Sequence, residues 1–114
     1  MATQTRKHTA SHRFARIAPR KARLVADMIR GKGIEDALAT LEFSPRRGAW
    51  FIKSVLRSAI ANAEEANLDV GRLFVSESRV DEGPTIKRFQ PKDRGRSHPI
   101  MKRTSHIHVS VDVR

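Results

Sequence analysis

No cysteine occurs among the 114 residues of this chain. That excludes disulfides and thiolate metal centres, and it fits a reducing compartment. No apolar run approaches the about 18 residues that a membrane-spanning helix needs. Aromatics are scarce at 5%. They are not interleaved with a basic strand pattern, as they are in sheet-based readers of single-stranded RNA, so recognition of shape and phosphate is expected rather than base reading. The first 23 residues hold no acid. Their opening, MATQTRKHTASHRFAR, shares that trait with organellar transit peptides. It lacks the apolar core of a secretory signal, and its basic residues run on into a structured-looking segment.

What is present is positive charge, unevenly placed. The chain has 23 Lys and Arg against 12 Asp and Glu, a net +11, and an isoelectric point near 11.4. Residues 1–23 carry seven positives and no acid, and residues 85–103 carry seven positives and one acid. The stretch between them is nearly balanced, with eight positives and ten acids. Two concentrated basic blocks repel themselves unless a polyanion neutralises them, and nucleic acid is the expected one. Neither block has the amphipathic apolar face of a membrane-surface helix.

Periodicity places the elements. APRKARLVADMIRGKG reads as a helix over about 19–30, with Pro19 at its first position, Leu24, Val25, Met28 and Ile29 as its apolar stripe, and Gly31 ending it in the left-handed conformation. Ile34, Ala37, Leu38 and Leu41 form a second helical face, with Glu35 and Asp36 in its first turn. The longest helix, over about 45–66, takes Ser44 as N-cap and Pro45 as first residue, with Gly48 a weak point in its first turn. GRLFVSESRVDEG reads as a strand of imperfect alternation. TSHIHVSVDV alternates cleanly, with Ile107, Val109, Val111 and Val113 on one face. KHTASHRFARIA is a candidate third strand; two strands alone are marginally stable, so a third strand or a helical cover is expected. The fold class is α+β. It comprises a strand, three helices and two antiparallel strands, giving a small three-stranded sheet covered by helices with a long protruding β-hairpin.

That hairpin is PTIKRFQPKDRGRSHPIMKR, residues 84–103. It is far longer than common hairpin loops and has no core pattern of its own. At about 3.3 Å per residue its legs would reach roughly 25–30 Å. One domain over 1–114 is expected, divided into a basic N-terminal segment (1–18), a compact body (19–83 and 104–114) and a basic arm (84–103).

The candidate nucleic-acid residues are the cations of the two blocks: Arg6, Lys7, Arg13, Arg16, Arg20, Lys21 and Arg23, then Lys87, Arg88, Lys92, Arg94, Arg96, Lys102 and Arg103. Arg suits bidentate phosphate contacts, and the first turn after Pro19 offers free N–H donors. Pro91, Gly95 and Pro99 keep the arm from closing into a regular aggregation-prone sheet. Phe89 suits either a stack on a base or an internal anchor. Trp50, Phe51, Phe43, Phe14 and Phe74 are read as core. His106 and His108 share a strand face, but two ligands make no metal site, and contact with RNA or water suits them better. No cofactor is implied. Enzymatic patterns are weak: GKG at 31–33 lacks P-loop spacing, Glu64 and Glu65 point about 100° apart on a helix, and no Ser, His and Asp set has an evident geometry. The rival readings are a free architectural nucleic-acid-binding protein and a small RNA-acting enzyme.

RKARLVADMIRGK, SAIANAE, VDEGPTIKR and KRTSHIHV, in this order over about residues 12–114, resemble bacterial large-subunit ribosomal proteins of the L-twenty-two family. The resemblance implies a body on the outside of the large subunit and a hairpin, about residues 80–105, running through rRNA. It implies binding to 23S rRNA early in assembly, and contact with neighbouring ribosomal proteins and with nascent polypeptide. No membrane and no small-molecule substrate are implied. The family's hairpin tip maps to about Phe89–Arg96, with Phe89, Gln90, Pro91, Lys92, Asp93, Arg94 and Gly95 facing the exit tunnel near where macrolides bind. Asp93 departs from the small or basic residues expected there, and Ala18 stands where a Ser cap is expected. A cytoplasmic ribosome is expected in preference to an organellar one.

Overall fold

The sheet pairs the two ends of the chain and adds one internal strand. A computed structural model describes residues 8–92 and 96–113, with the backbone alone for residues 88–92 and 96–101. Strand β1 (His8–Ala15) is followed by helices α1 (Pro19–Ile29), α2 (Ile34–Phe43) and α3 (Arg47–Glu65), and a 3-10 turn at Val70–Arg72. Strands β2 (Leu73–Glu82), β3 (Ile86–Lys92), β4 (Arg96–Lys102) and β5 (Ser105–Val113) complete it. The sheet order is β1-β5-β2, antiparallel throughout, and β3 and β4 form a separate two-stranded ribbon. The α+β fold is the one expected.

One sheet face carries Val75, Ile107, Val109 and Val111, all fully buried with Ile29 of α1 and Ile52 and Leu56 of α3. Each side chain of this size contributes roughly 1.5–3 kcal/mol by leaving water. The helices are therefore held by packing. Their caps add little: neither Ala18 before α1 nor Arg46 before α3 makes a side-chain cap bond. Ser44 does not cap α3. It ends α2, and its hydroxyl accepts from the Arg46 amide at 3.4 Å.

The buried stripe of α1 is Ala22, Val25, Ala26 and Ile29, whereas Leu24 and Met28 are exposed. Alanine, a poor hydrophobic signal, faces the core because α1 lies close to its neighbours. Gly48 has the same cause. A Cβ there would sit 3.3 Å from both Ile17 Cδ1 and Val25 Cγ2, so the glycine lets the start of α3 approach α1. Gly31 takes φ +82°, as its place after α1 requires.

The imperfect alternation of β2 is a bulge. Its register against β5 shifts between Val75 and Glu77, so the buried set passes from Leu73 and Val75 to Ser78 and Val80. The outer edge of β2 is closed by the α1–α2 region. The Gly31 amide donates to Val75 O, the Val75 amide donates to Lys32 O, Arg30 reaches Ser78 O and Arg23 reaches Val80 O. An open strand edge is thereby covered.

The ribbon pairs Ile86 with Lys102 through to Lys92 with Arg96 without a break. Pro91 and Pro99 do not interrupt it. Both fall in the same alternate set of pairs, Pro91↔Ser97 and Phe89↔Pro99. An antiparallel ladder turns one such set's N–H groups outward, where proline costs no bond.

Candidate nucleic-acid interface

The ribbon leaves the body through a tight clasp. The Gly83 amide donates to Thr104 O at 2.9 Å, and the Thr104 hydroxyl donates to Pro84 O at 2.6 Å. Beside this root lies a groove of about 900 Å³ where three separate segments meet. Arg16, Ile17, Ala18, Lys21 and Leu24 come from the first basic block and α1. Arg46, Arg47 and Gly48 come from the start of α3, and Ile86, Lys102, Arg103 and Thr104 come from the ribbon root. Six of these are exposed cations, and no lining residue is acidic. Ile17, Leu24 and Ile86 give the groove an apolar component between the charges. An apolar trough rimmed by guanidinium and ammonium groups suits a sugar–phosphate backbone, with the cations on phosphates and the trough against sugars or base faces.

Of the cations singled out in the sequence, Arg16, Lys21, Lys102 and Arg103 are brought together here. Arg13, Arg20 and Lys87 are exposed outside the groove lining. Arg23 is exposed too, but its Nε donates to Val80 O at 3.1 Å, so part of its guanidinium serves the body. Arg88, Phe89, Gln90, Pro91, Lys92 and Arg96 hold positions on the ribbon backbone. Arg6, Lys7, Asp93, Arg94 and Gly95 lie outside the described residues. Pro19 lacks an N–H, and the Lys21 and Ala22 amides both donate to Ala18 O. The first turn of α1 thus offers fewer phosphate donors than expected.

Arg46 and Arg47 were missed because they fall in the chain's balanced middle. The overlooked signal is that residues 43–63 contain four cations and no acid. The nearest carboxylate in sequence, Glu42, pairs with Lys53. That hydrogen bond and the Lys53 charge hold the Glu42 carboxyl below its ordinary pKa, and Arg57 acts in the same direction.

Three aromatics assigned to the core are on the surface: Phe43 is 86% exposed, Trp50 68% and Phe14 59%. Phe51 alone of the α2–α3 junction group is buried. Phe14 sits in a bulge of β1 between His12 and Ala15, at φ +58°, edge-on to His106 with centroids 4.9 Å apart.

His106 and His108 are half-buried and engaged within the sheet. His106 Nδ1 accepts from the Phe14 amide. His108 Nδ1 lies 2.7 Å from Ser11 Oγ, and its Nε2 lies 3.2 Å from Asp81 Oδ2, which Arg79 also binds. Only strand pairing places Ser11 and Asp81 on either side of His108. This Ser–His–Asp chain lies across three strands of a sheet, and Arg79 ties its carboxylate, so it reads as a cross-strand brace. Among the described residues, no cluster of three or more His, Asp or Glu could hold a metal ion. No helix among them is long and apolar enough to cross a membrane.

Comparison with known proteins points the same way as the groove. The family profile described as ribosomal protein L22p/L17e matches residues 10–112. The large ribosomal subunit protein uL22 of Ligilactobacillus salivarius is 53% identical over 115 residues, covering 100% of both chains. Its counterparts in Lacticaseibacillus casei and Lactobacillus helveticus are each 54% identical over 112 residues, 97% of this chain and 96% of theirs. The match spans β1, the helices, the ribbon and β5 alike, so the chain belongs to the ribosomal protein L22p/L17e family and is a large-subunit ribosomal protein.

Proposed function

We propose that this protein is a structural, non-enzymatic rRNA-binding constituent of the large subunit in the cytoplasmic ribosome. It binds 23S rRNA through the groove at the ribbon root and through the ribbon itself, supports subunit assembly, and lines the nascent-peptide exit tunnel with its tip. The observation that carries this reading is the groove, where cations from three distant segments converge on one apolar trough. A free solvated basic tail would give no such convergence. The division into a body and an arm over 84–103 belongs to the proposal, as do Arg6, Lys7, Arg13, Arg20, Lys87, Arg88, Lys92, Arg94 and Arg96 as further phosphate contacts. Residues 89–95 are assigned to the tunnel wall. Neighbouring large-subunit proteins and the nascent chain are the protein partners.

Polyanion binding also explains how a +11 chain tolerates its charge. Neutralising phosphates releases their counterions, so affinity falls steeply with salt for the isolated protein. In the assembled subunit, enclosure of the ribbon makes the attachment resistant to a salt wash. Co-sedimentation of tagged protein with large subunits through a high-salt gradient tests this. Stoichiometric retention is expected, and loss to the soluble fraction would favour the free nucleic-acid-binding rival. Replacing Arg88, Arg94 and Arg96 together by Ala is expected to reduce subunit incorporation while the far-UV spectrum of the body stays unchanged. Normal incorporation of that variant would remove the arm from the proposal.

A further inference from the structure

We infer that the outer face of α3 is a second RNA contact, separate from the groove, in which Trp50 is a platform for one unpaired base and Arg57 meets the adjoining phosphate. The inference rests on the RNA-binding reading above. Trp50 is 68% exposed although it stands on the longest helix of the body. Its ring packs edge-on against Phe51, with centroids 4.9 Å apart, and the Arg47 guanidinium lies 5.5 Å from the Phe51 ring centre. The indole therefore rests against one buried ring while much of its surface remains open. A braced platform loses little freedom when a base stacks on it.

Beside the indole is a cavity of about 470 Å³, whose other lining residues are Lys53, Ser54, Arg57, Ser58 and Ala61. The cavity thus pairs one large aromatic with two cations and two hydroxyls. The local charge decides the occupant. From residue 43 to residue 63 there are four cations and no acid, and Lys53 already pairs with Glu42. An apolar protein partner on Trp50 would desolvate Arg57, and the Glu42 carboxylate near it is already bonded to Lys53. A nucleotide answers both features, with its base on the indole and its phosphate on Arg57. Phe43, 86% exposed at the end of α2, adds a second aromatic close in sequence.

Trp50 is the only tryptophan, so the fluorescence comes from this one indole. The full chain is titrated with a short oligoadenylate and, separately, with a blunt RNA duplex of the same length, while fluorescence anisotropy of labelled RNA reports total binding. Oligoadenylate is expected to quench Trp50 strongly, and the duplex, whose bases are already stacked, to quench it little. Trp50→Ala is expected to bind oligoadenylate roughly tenfold more weakly, and Trp50→Phe, which keeps a stacking face, to stay close to the parent. Binding without quenching, or an unaltered affinity in Trp50→Ala, would overturn this inference and leave the RNA-binding reading standing. Absence of any binding in anisotropy would overturn both.

Discussion

At Ser78 the protein buries a hydroxyl that has no hydrogen-bond partner among the described residues. The residue is 1% exposed and lies on the helix-facing side of β2, just past the bulge. Other buried hydroxyls in the sheet are satisfied: Ser105 Oγ donates to Ile17 O at 2.6 Å, and Ser110 Oγ lies 2.8 Å from Thr9 Oγ1. An unpaired buried hydroxyl loses its hydration without compensation. Ser78→Ala removes that cost and little volume, so it is expected to stabilise the fold by about 1 kcal/mol. A shift of the urea midpoint at unchanged m-value would show it. A destabilised variant would mean that the hydroxyl makes a bond in solution.

Helix α1 illustrates what was legible in the sequence at the scale of the element. Its start at Pro19 and its end before a left-handed Gly31 were readable because each depends on local backbone chemistry, and the capping place of Ala18 came from the family resemblance. The alternation of β5 was readable in the same local way, whereas β1 was anticipated from the marginal stability of two strands alone. The faces were harder to read. Leu24 and Met28 looked like core, but a helix packed closely on its neighbours buries Ala22 and Ala26 instead, and the large side chains turn outward. Phe14 and Trp50 escaped for a similar reason: aromatic character says nothing about which side of a bulge or helix a residue occupies. The groove could not be read at all, since Arg16, Arg46 and Arg103 meet only through the packing of α1 on α3 and the placement of the ribbon root. Ala18 gives an element-scale test. It has extended dihedrals, φ −65° and ψ 133°, and makes no side-chain cap bond. A serine there can accept from an amide of the first turn. Ala18→Ser is expected to raise stability by roughly 0.5–1 kcal/mol, with the midpoint of thermal unfolding rising accordingly. No rise would indicate that a serine hydroxyl there reaches neither the Arg20 amide nor the Lys21 amide, the latter already bonded to Ala18 O.

Across the whole molecule, the principal extents are 66 × 35 × 20 Å, so its long axis is more than three times its short one. Seven paired residues on each strand of the ribbon, at about 3.3 Å apiece, account for roughly 20 Å of length. A lever of that length turns a small change at its root into a large displacement at its tip, and Gly83 sits at the root. A Cβ built there would lie 2.5 Å from Thr104 Oγ1, 3.2 Å from Thr104 O and 3.3 Å from His106 Cε1. Thr104 could rotate its hydroxyl away only by giving up its bond to Pro84 O, and its carbonyl already accepts from the Gly83 amide. Gly83→Ala must therefore displace the strands at the clasp, which re-aims the ribbon. The overpacking is expected to cost about 1–3 kcal/mol. Thr104→Ala removes the closest of the three contacts, so the double variant is expected to lose less than the two single variants added together. Denaturant unfolding of the four proteins of this cycle measures the coupling, and competition with the parent for places in assembling subunits measures the aim of the arm. The expected Gly83→Ala protein is folded at moderate temperature but underrepresented in large subunits. If it is incorporated as well as the parent, the direction of the ribbon is set by the RNA around it and not by the clasp.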